Sequence, residues 1–213
     1  MPTRHADALA LLRHVPATER MIANALGCDV TLAMTTAGDD APPGDQTVAA
    51  AWPSRSRRES WLRGRAAVRR VLDALSGAGA AGHAKLSVSH SGPHSVAIGT
   101  TSRAVRAIGV DLEAGPAPAV DAARFFLDED ERRWALAADR PARLLRLWTI
   151  KEALFKADPS NGTARIWDYR LDHPERASGT ASLRGDRSRL LRYCSVRLAA
   201  GWLSVAVFRG ERR

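Results

Sequence analysis

The second half of the sequence is organised around one stretch with helical spacing. It reads Trp148-Thr149-Ile150-Lys151-Glu152-Ala153-Leu154-Phe155-Lys156. Residues four positions apart share one side of a helix, so Trp148, Glu152 and Lys156 form a single stripe. Proline is favoured in the first turn of a helix and cannot continue one, so Pro141 and Pro159 bound the prediction. We predict a long helix between these two prolines.

The first half contains a second long helical pattern. Ser56 and Glu59 have the spacing of a capping box, and apolar residues recur at helical intervals as far as Ser76. Gly77 follows and is typical of a helix end. Arginines crowd the other sides of this segment. We therefore predict a basic amphipathic helix over residues 56–76.

Shorter segments around these helices have strand patterns. Alternating or short apolar runs between turn residues predict strands over residues 29–36, 86–90, 95–99, 105–113, 164–171, 181–183, 190–198 and 202–208. Shorter helices are predicted near residues 120–126 and 128–138, and a loop over residues 38–45. Strands and helices do not alternate, so the predicted fold class is α+β. We expect two similar lobes, residues 1–104 and 105–213, each with a long helix packed on a small antiparallel sheet.

The composition is that of a globular protein with excess positive charge. The chain has 213 residues and a formal net charge of +9. A basic surface favours a polyanionic partner, which could be nucleic acid, a phosphorylated cofactor or an acidic protein. Cys28 and Cys194 have no metal-ligand spacing, which favours a reducing compartment. There is no signal-peptide core and no apolar run of membrane length, so we expect a cytoplasmic protein without membrane contacts.

The predicted strand Ile108 to Glu113 carries two carboxylates on one face. Gly109, Asp111 and Glu113 share that face, and the apolar residues occupy the other. Side chains two residues apart on a strand are separated by about 6.5–7 Å, so both carboxylates can converge on one hard cation. The absence of Cys and His nearby favours Mg²⁺ or Mn²⁺ over zinc, and Gly109 leaves room for a ligand beside the backbone. A merely solvated strand face would give the same pattern.

A Ser-His sequence ends an earlier predicted strand. Ser87 and Ser89 share one strand face, and His90 stands beside a glycine turn. A hydroxyl and an imidazole at a turn can bind phosphate oxygens, although Ser and His are common at turns without any function. A hydrolase nucleophile is disfavoured, because neither Ser89 nor Ser91 lies in a G-x-S-x-G elbow.

Together these segments resemble the 4′-phosphopantetheinyl transferases of the surfactin-synthetase-activating type. That family has an S-H-S/C turn, a G-[VI]-D-[LIV]-E strand and a W-[ST]-x-K-E-[AS]-x-x-K helix. This sequence has, in the same order, Ser89-His90-Ser91, Gly109 to Glu113, and Trp148 to Lys156. The resemblance extends over about residues 50–170, where Gly64-Arg65 and the Arg-Phe-Phe run at residues 124–126 also agree with it.

The resemblance implies a two-lobed monomer with its active site at the lobe interface. Such enzymes transfer the phosphopantetheine arm of coenzyme A to a serine of a carrier protein and release 3′,5′-ADP. Asp111, Glu113 and Glu152 are then expected to hold Mg²⁺, or Mn²⁺, against the diphosphate. Glu152 would also deprotonate the carrier serine, directly or through water. The expected catalytic residues are therefore Glu152, Lys156 and Asp111.

The resemblance also implies where coenzyme A binds. Ser89 and His90 would contact phosphate from the first lobe. Lys156, assisted by Lys151, would contact the phosphates and stabilise charge on the leaving group. The basic helix would face the 3′-phosphate, and its candidate residues are Arg57, Arg58 and Arg65. The positive surface would steer an acidic acyl or peptidyl carrier protein toward the site.

Two segments depart from the family pattern. Residues 82–85 read Gly-His-Ala-Lys where many relatives have Gly-Lys-Pro, and residues 157–162 lack the usual Lys-Gly sequence. These departures leave the choice of carrier open. Two other functions are alternatives: a non-enzymatic basic nucleic-acid-binding module, and a relative that binds coenzyme A or carrier protein but no longer catalyses transfer. The first lacks a helix-turn-helix, zinc or exposed aromatic signature, and the intact carboxylates and Lys156 disfavour the second.

Overall fold

The structure is a computed structural model, and it describes residues 15–36, 41–77, 81–198 and 201–211. The first half contains α1 (Val15–Leu26), β1 (Thr31–Thr35), α2 (Pro43–Ala50), α3 (Arg55–Gly77), β2 (Lys85–Ser91) and β3 (His94–Thr100). The second half contains β4 (Ala107–Glu113), α4 (Glu129–Ala137), α5 (Arg140–Ala157), β5 (Tyr169–Leu171), β6 (Ser178–Leu183), β7 (Asp186–Leu198) and β8 (Gly201–Glu211). Short 3-10 helices lie between these elements, among them Val120–Phe125.

The strands form two antiparallel sheets. The first has the order β1-β3-β2, and the second has the order β4-β8-β7-β6-β5. In the first, Ala97 of β3 pairs with Ala33 of β1 and Val88 of β2. In the second, Asp111 of β4 is directly opposite Ser204 of β8. Consequently β2 and β4 are each an edge strand of their own sheet.

Each sheet is covered on one face by a long helix. Helix α3 buries Ala67, Val71 and Leu75 against Ala97 of the three-stranded sheet. Helix α5 buries Leu147, Ile150, Ala153 and Leu154 against the five-stranded sheet. The sheet residues in the same cluster include Leu191, Tyr193 and Ala206. The amphipathic patterns of the two helices therefore find one apolar sheet face each, as expected for helices on antiparallel sheets.

The remaining faces of the two sheets share a core. Val96 and Ile98 of β3 pack in one cluster with Ile108, Val110 and Leu112 of β4. Residues of α1, β7 and β8 complete this cluster: Ile22, Leu26, Cys194, Val196, Leu198, Leu203, Val205 and Val207. The described chain thus stacks as helix, sheet, sheet and helix, and β2 runs beside β4.

The α+β prediction is confirmed by this mixture of helices and antiparallel sheets. The predicted lobe boundary near residue 104 stays a prediction, as does the similarity of the two lobes. Several local predictions were wrong. Helix α2 begins at Pro43, inside the predicted loop, and β5 spans only Tyr169–Leu171 of the strand predicted over residues 164–171. Helix α1 was not predicted. Residues 37–40, 78–80, 199–200 and 1–14, on which parts of other predictions fall, lie outside the described residues.

The first turn of α3 also differs from the prediction. The helix starts at Arg55, and the Ser54 hydroxyl accepts a hydrogen bond from the Arg57 backbone N–H at 3.4 Å. Ser56 therefore does not cap the helix, and Glu59 pairs with Arg55 instead, at 2.7 Å. Among the helices that the structure describes, none combines the length and the apolar character needed to cross a bilayer.

Candidate active site between β4, α5 and β2

Helix α5 lies unusually close to β4, and Gly109 is the reason. A Cβ atom at Gly109 would lie 2.1 Å from the backbone oxygen of Ala153 and 2.6 Å from the backbone nitrogen of Ala157. Only glycine tolerates such an approach of two backbones. The sequence suggested that Gly109 leaves room for a ligand, but the helix backbone fills that space. Its effect is to bring Asp111 and Glu113 on β4 beside Glu152 and Lys156 on α5.

Asp111 is at the centre of the site. It is 5% exposed, and its Oδ1 accepts hydrogen bonds from Lys156 Nζ at 2.8 Å and from the Ser89 hydroxyl at 2.8 Å. Lys156 Nζ also donates to the Val110 carbonyl at 3.2 Å. Burial raises the pKa of Asp111 despite these favourable partners. The other carboxylate oxygen, Oδ2, is buried and accepts no hydrogen bond from any described residue.

Glu113 and Glu152 surround Asp111 with further negative charge. The Glu113 carboxylate accepts hydrogen bonds from the Ser91 hydroxyl at 3.3 Å and from the Trp148 side chain. Partial burial, followed by the Asp111 carboxylate, raises the pKa of both Glu113 and Glu152. The Glu113 carboxylate also raises the pKa of Glu152. The three carboxylates predicted to cooperate therefore repel one another electrostatically in the folded protein.

The carboxylates have the chemistry of a hard-cation site, although they do not form a ready-made cage. Oxygen donors of this kind select Mg²⁺ or Mn²⁺, and the unpartnered Oδ2 of Asp111 is one free ligand atom. Mutual repulsion would be relieved by a bound cation. Within the described ranges, however, no three Asp, Glu, His or Cys side chains are placed to hold an ion together. Coordination of one ion by all three carboxylates is therefore not preformed in the described residues.

Strand β2 supplies a row of serine hydroxyls along the free edge of β4. Ser87 Oγ accepts the Val110 backbone N–H at 3.0 Å, and Ser91 Oγ accepts the Ala114 backbone N–H at 2.9 Å. Ser89 lies between them and donates to Asp111. The two sheets are thus linked here by side-chain hydroxyls, which satisfy backbone donors that an edge strand leaves unpaired. The sequence pattern placed Ser87 and Ser89 on one face but did not indicate this contact.

His90 packs against the basic helix α3 at Gly64. A Cβ atom at Gly64 would lie 2.4 Å from His90 Cε1, so the Gly64 position allows β2 to approach α3. His90 Nδ1 shares a hydrogen bond with the Ser95 hydroxyl at 2.8 Å. Partial burial, followed by the positive charges of Lys156 and Arg63, lowers the pKa of His90. Several cationic groups therefore meet at this end of β2, which favours an anionic ligand.

Arg63 is the residue of the basic helix that reaches the Ser-His turn. Its Nη2 donates to the Gly92 carbonyl at 3.2 Å, and its buried Nε has no hydrogen-bond partner among the described residues. The arginine-rich pattern of the helix did not distinguish Arg63 from its neighbours. Its position directly before the family-like Gly64-Arg65 element is the signal that could have selected it.

The three arginines predicted to face the 3′-phosphate have other surroundings. Arg65 donates to Asp45 at 3.2 Å and lies over the Trp61 ring, 5.8 Å from its centroid. Arg57 is exposed, and Arg58 is partly exposed. Among the described residues, none of these three contacts the carboxylates or the Ser-His turn, so their role in phosphate binding stays a prediction.

The prediction for Lys151 is wrong. Its side chain is fully buried on the side of α5 that faces away from Asp111, and its Nζ donates to Glu131 Oε2 at 2.6 Å and to the Tyr169 carbonyl. Burial lowers the pKa of Lys151, while Glu131 opposes that effect. A side chain enclosed in this way cannot contact a diphosphate. Lys151 immediately precedes Glu152, and one residue step along a helix turns the side chain by about 100°. Its side chain therefore leaves the stripe that faces the site and has a structural role.

Trp148 joins the site to the hydrophobic core. Its ring packs edge-on against Phe126 with centroids 5.1 Å apart, and its side chain also donates to Glu113. Trp148 therefore belongs both to the edge of the core and to the wall of the site. A tryptophan that is partly buried usually finds a partner for its N–H group, and here the partner is a predicted metal ligand.

A separate cavity lies elsewhere on the five-stranded sheet. It has a volume of about 690 Å³ and is lined by residues that include Trp167, Arg170 and Asp172. Its ionic groups largely pair with each other, as Arg170 does with Asp128 at 3.0 Å and Asp130 at 2.9 Å. Asp111, Glu113 and Glu152 do not line this cavity, so it is not the candidate active site.

Comparison with known proteins agrees with the geometry. No curated protein matches the chain significantly. A family model described as the 4′-phosphopantetheinyl transferase superfamily matches residues 107–202. This match begins at β4 and includes Asp111, Glu113, Glu152 and Lys156. Residues 107–202 of the chain are therefore similar to the 4′-phosphopantetheinyl transferase superfamily.

Proposed function

We propose that this protein transfers the 4′-phosphopantetheine arm of coenzyme A to a serine of an apo carrier protein and releases 3′,5′-ADP. Phosphopantetheinyl transfer in general follows from the superfamily. The observation that carries the specific proposal is the grouping of Asp111, Glu113 and Glu152 with Lys156 beside a Ser-His turn. Within the superfamily we place the chain with the surfactin-synthetase-activating type, as a two-lobed monomer acting in the cytoplasm.

Asp111, Glu113 and Glu152 are the residues that would hold Mg²⁺. When bound, the ion neutralises charge on the diphosphate of coenzyme A and on the carboxylates themselves. The free Oδ2 of Asp111 and the raised pKa values of all three groups support this choice. Mn²⁺ has the same ligand preference and is expected to substitute.

Glu152 is the proposed general base. Its pKa is raised by partial burial and by Asp111, and a carboxylate with a raised pKa accepts a proton more readily near neutral pH. The carrier serine oxygen forms a bond to the phosphorus next to the pantetheine arm as its proton passes to Glu152, directly or through water. The bond from that phosphorus to the bridging oxygen breaks, and its electron pair leaves with 3′,5′-ADP.

Lys156 is the proposed electrostatic stabiliser of the leaving group. Its ammonium is held between Asp111 Oδ1, Ser89 Oγ and the Val110 carbonyl, at distances of 2.8, 3.2 and 3.2 Å. A fixed donor of this kind needs no reorganisation when negative charge develops. Ser89 and His90 extend the polar surface from Lys156 toward the basic helix. They are the proposed contacts for the coenzyme A phosphates.

The carrier is proposed to be acidic. The chain has a net charge of +9, and opposite charge accelerates the encounter of two proteins. The acceptor can be an acyl or a peptidyl carrier, which would make the enzyme a holo-[acyl-carrier-protein] synthase in the first case. The carrier's identity decides the pathway that the enzyme serves.

Mass spectrometry of the carrier tests the proposal directly. The protein is incubated with coenzyme A, Mg²⁺ and an apo acyl or peptidyl carrier protein, and the carrier is then weighed. We expect the carrier to gain one phosphopantetheine group, and we expect Glu152→Ala or a chelator to prevent this gain. An unchanged mass with carriers of several types, or undiminished transfer by Glu152→Ala, would contradict the proposed function.

A further inference from the structure

Two serines on β2 make the same backbone contact to β4. Ser87 Oγ accepts the Val110 N–H at 3.0 Å, and Ser91 Oγ accepts the Ala114 N–H at 2.9 Å. Because β4 is an edge strand, these outward donors would otherwise be unpaired. Ser87 and Ser91 therefore contribute similarly to the joint between the two sheets.

Ser91 differs from Ser87 in a second contact. Its hydroxyl also donates to Glu113 Oε2 at 3.3 Å, whereas Ser87 bonds no carboxylate among the described residues. The acceptor bond from Ala114 N–H fixes the Ser91 oxygen against the backbone that immediately follows Glu113. The hydroxyl hydrogen is then free to point at the carboxylate. Ser91 is itself 9% exposed, so water competes little for this bond.

Glu113 is held from two sides as a result. The Trp148 side chain donates to it from α5, and Ser91 donates to it from β2. Ser89, two residues before Ser91, donates in the same way to Asp111. One strand of the first sheet therefore orients two carboxylates of the second sheet, and the same strand carries His90.

We propose that Ser91 is a positioning residue for the metal site: it fixes the Glu113 carboxylate in the orientation from which Glu113 binds the divalent cation. This inference rests on the proposed function, because the cation is part of that proposal. Groups that orient a metal ligand without touching the ion typically change metal affinity by about 10–100-fold when they are removed.

The test compares matched variants of the full-length protein without coenzyme A. Ser91→Ala removes both contacts of Ser91, Ser87→Ala removes only the equivalent backbone contact, and Ser91→Thr retains the hydroxyl. Mn²⁺ is the probe, and its affinity is measured by electron paramagnetic resonance of the free ion. Thermal unfolding of each variant is recorded in parallel.

We expect Ser91→Ala to bind Mn²⁺ about tenfold more weakly than the wild-type protein. Ser87→Ala should be destabilised to a similar extent as Ser91→Ala and should bind Mn²⁺ like the wild type. Ser91→Thr should restore the affinity. In the transfer assay, Ser91→Ala should need more Mg²⁺ for half-maximal rate, with kcat close to wild type at saturating Mg²⁺. Should Ser91→Ala fold poorly, Ser91→Cys offers a weak donor of similar size and should lie between Ala and Thr.

Two results would overturn the role of Ser91: unchanged Mn²⁺ affinity in Ser91→Ala, or an equal loss of affinity in Ser87→Ala. In either case a wild-type protein that still transfers phosphopantetheine leaves the proposed function intact. Conversely, a wild-type protein that binds Mn²⁺ in a Ser91-dependent way and modifies no carrier would contradict the transferase and retain the positioning role.

Discussion

The ammonium of Lys156 lies 2.8 Å from Asp111 Oδ1, so two residues from separate sequence motifs form a direct ion pair in the site. Asp111 is nearly buried and Lys156 is partly exposed, with side-chain exposures of 6% and 30%. The pair explains how a buried carboxylate is tolerated in a site that holds two further carboxylates. It also places the proposed leaving-group stabiliser within reach of the proposed metal ligands.

Removing the charge of Lys156 should therefore impair catalysis more than folding. We expect Lys156→Met to lower kcat by about 10²–10³-fold, which is typical for loss of one fixed electrostatic stabiliser of a transition state. Steady-state kinetics with coenzyme A and an apo carrier measure the change. Lys85→Met is the control and should retain normal turnover, since Lys85 Nζ donates to the Ser102 carbonyl at 3.2 Å and bonds no carboxylate of the site. Comparable losses in both variants would show that the effect is not specific to the site.

Substitution of Gly109 should separate α5 from β4. In Gly109→Ala the new methyl group would meet the Ala153 carbonyl at 2.1 Å, and backbone atoms can only yield by moving the helix. We expect a loss of about 1–3 kcal/mol in the free energy of unfolding, measured by urea titration, together with reduced activity. Gly115→Ala has no atom within 4 Å of its Cβ and serves as the control. A fully stable Gly109→Ala protein would mean that the two backbones are less close than described.

Neutralising one carboxylate should stabilise the cation-free protein. The pKa of Glu152 is raised by partial burial, then by Asp111, so the folded protein holds this proton more tightly than the unfolded chain. A raised carboxyl pKa gives stability below the unfolded value, and that stability is lost as the pH rises through the folded value. Above this window the ionised Glu152 costs stability. We expect Glu152→Gln to raise the melting temperature at pH 7 without Mg²⁺, although it impairs transfer.

The pH profile provides the control for that prediction. The difference in melting temperature between Glu152→Gln and wild type should shrink as the pH is lowered toward the ordinary carboxyl range, because both side chains are then neutral. Added Mg²⁺ should also shrink the difference, by stabilising the wild type more strongly. The exposed Glu129 supplies the comparison variant Glu129→Gln, for which we expect no gain in melting temperature. A lower melting temperature for Glu152→Gln at pH 7 would contradict the repulsion among the three carboxylates.

Lys151 should behave as a structural residue. Its buried ammonium pairs with Glu131 at 2.6 Å, and removing one partner of a buried pair costs about 3–5 kcal/mol. We expect Lys151→Met to be strongly destabilised in chemical unfolding, and the added change Glu131→Gln to recover part of the loss. The specific activity of the folded fraction should stay near that of wild type. A large loss of activity in correctly folded Lys151→Met would reinstate the phosphate contact suggested by the family motif.

The different surroundings of Lys151 and Lys156 show which side-chain contacts a sequence motif predicts and which it does not. Both lysines belong to the same nine-residue helical stretch, and the resemblance assigned phosphate contacts to both. Their sides of the helix follow from helical periodicity, but which side meets the carboxylates depends on the sheet against which α5 packs. Because Gly109 brings β4 to the Ala153 side of α5, Lys156 reaches Asp111 and Lys151 enters the core.

The sequence by itself determined the α+β class, the two long helices, most of the strands and the pairing of Asp111 with Glu113 on one strand face. These follow from short-range periodicity, which fixes the direction of a side chain relative to its own element. Only the tertiary structure decided that Ser87, Ser89 and Ser91 line the edge of β4. It also decided that Arg63 reaches the Ser-His turn and that Lys151 is enclosed. Such contacts join elements far apart in the chain, and they depend on how closely backbones approach, a distance that no local pattern encodes.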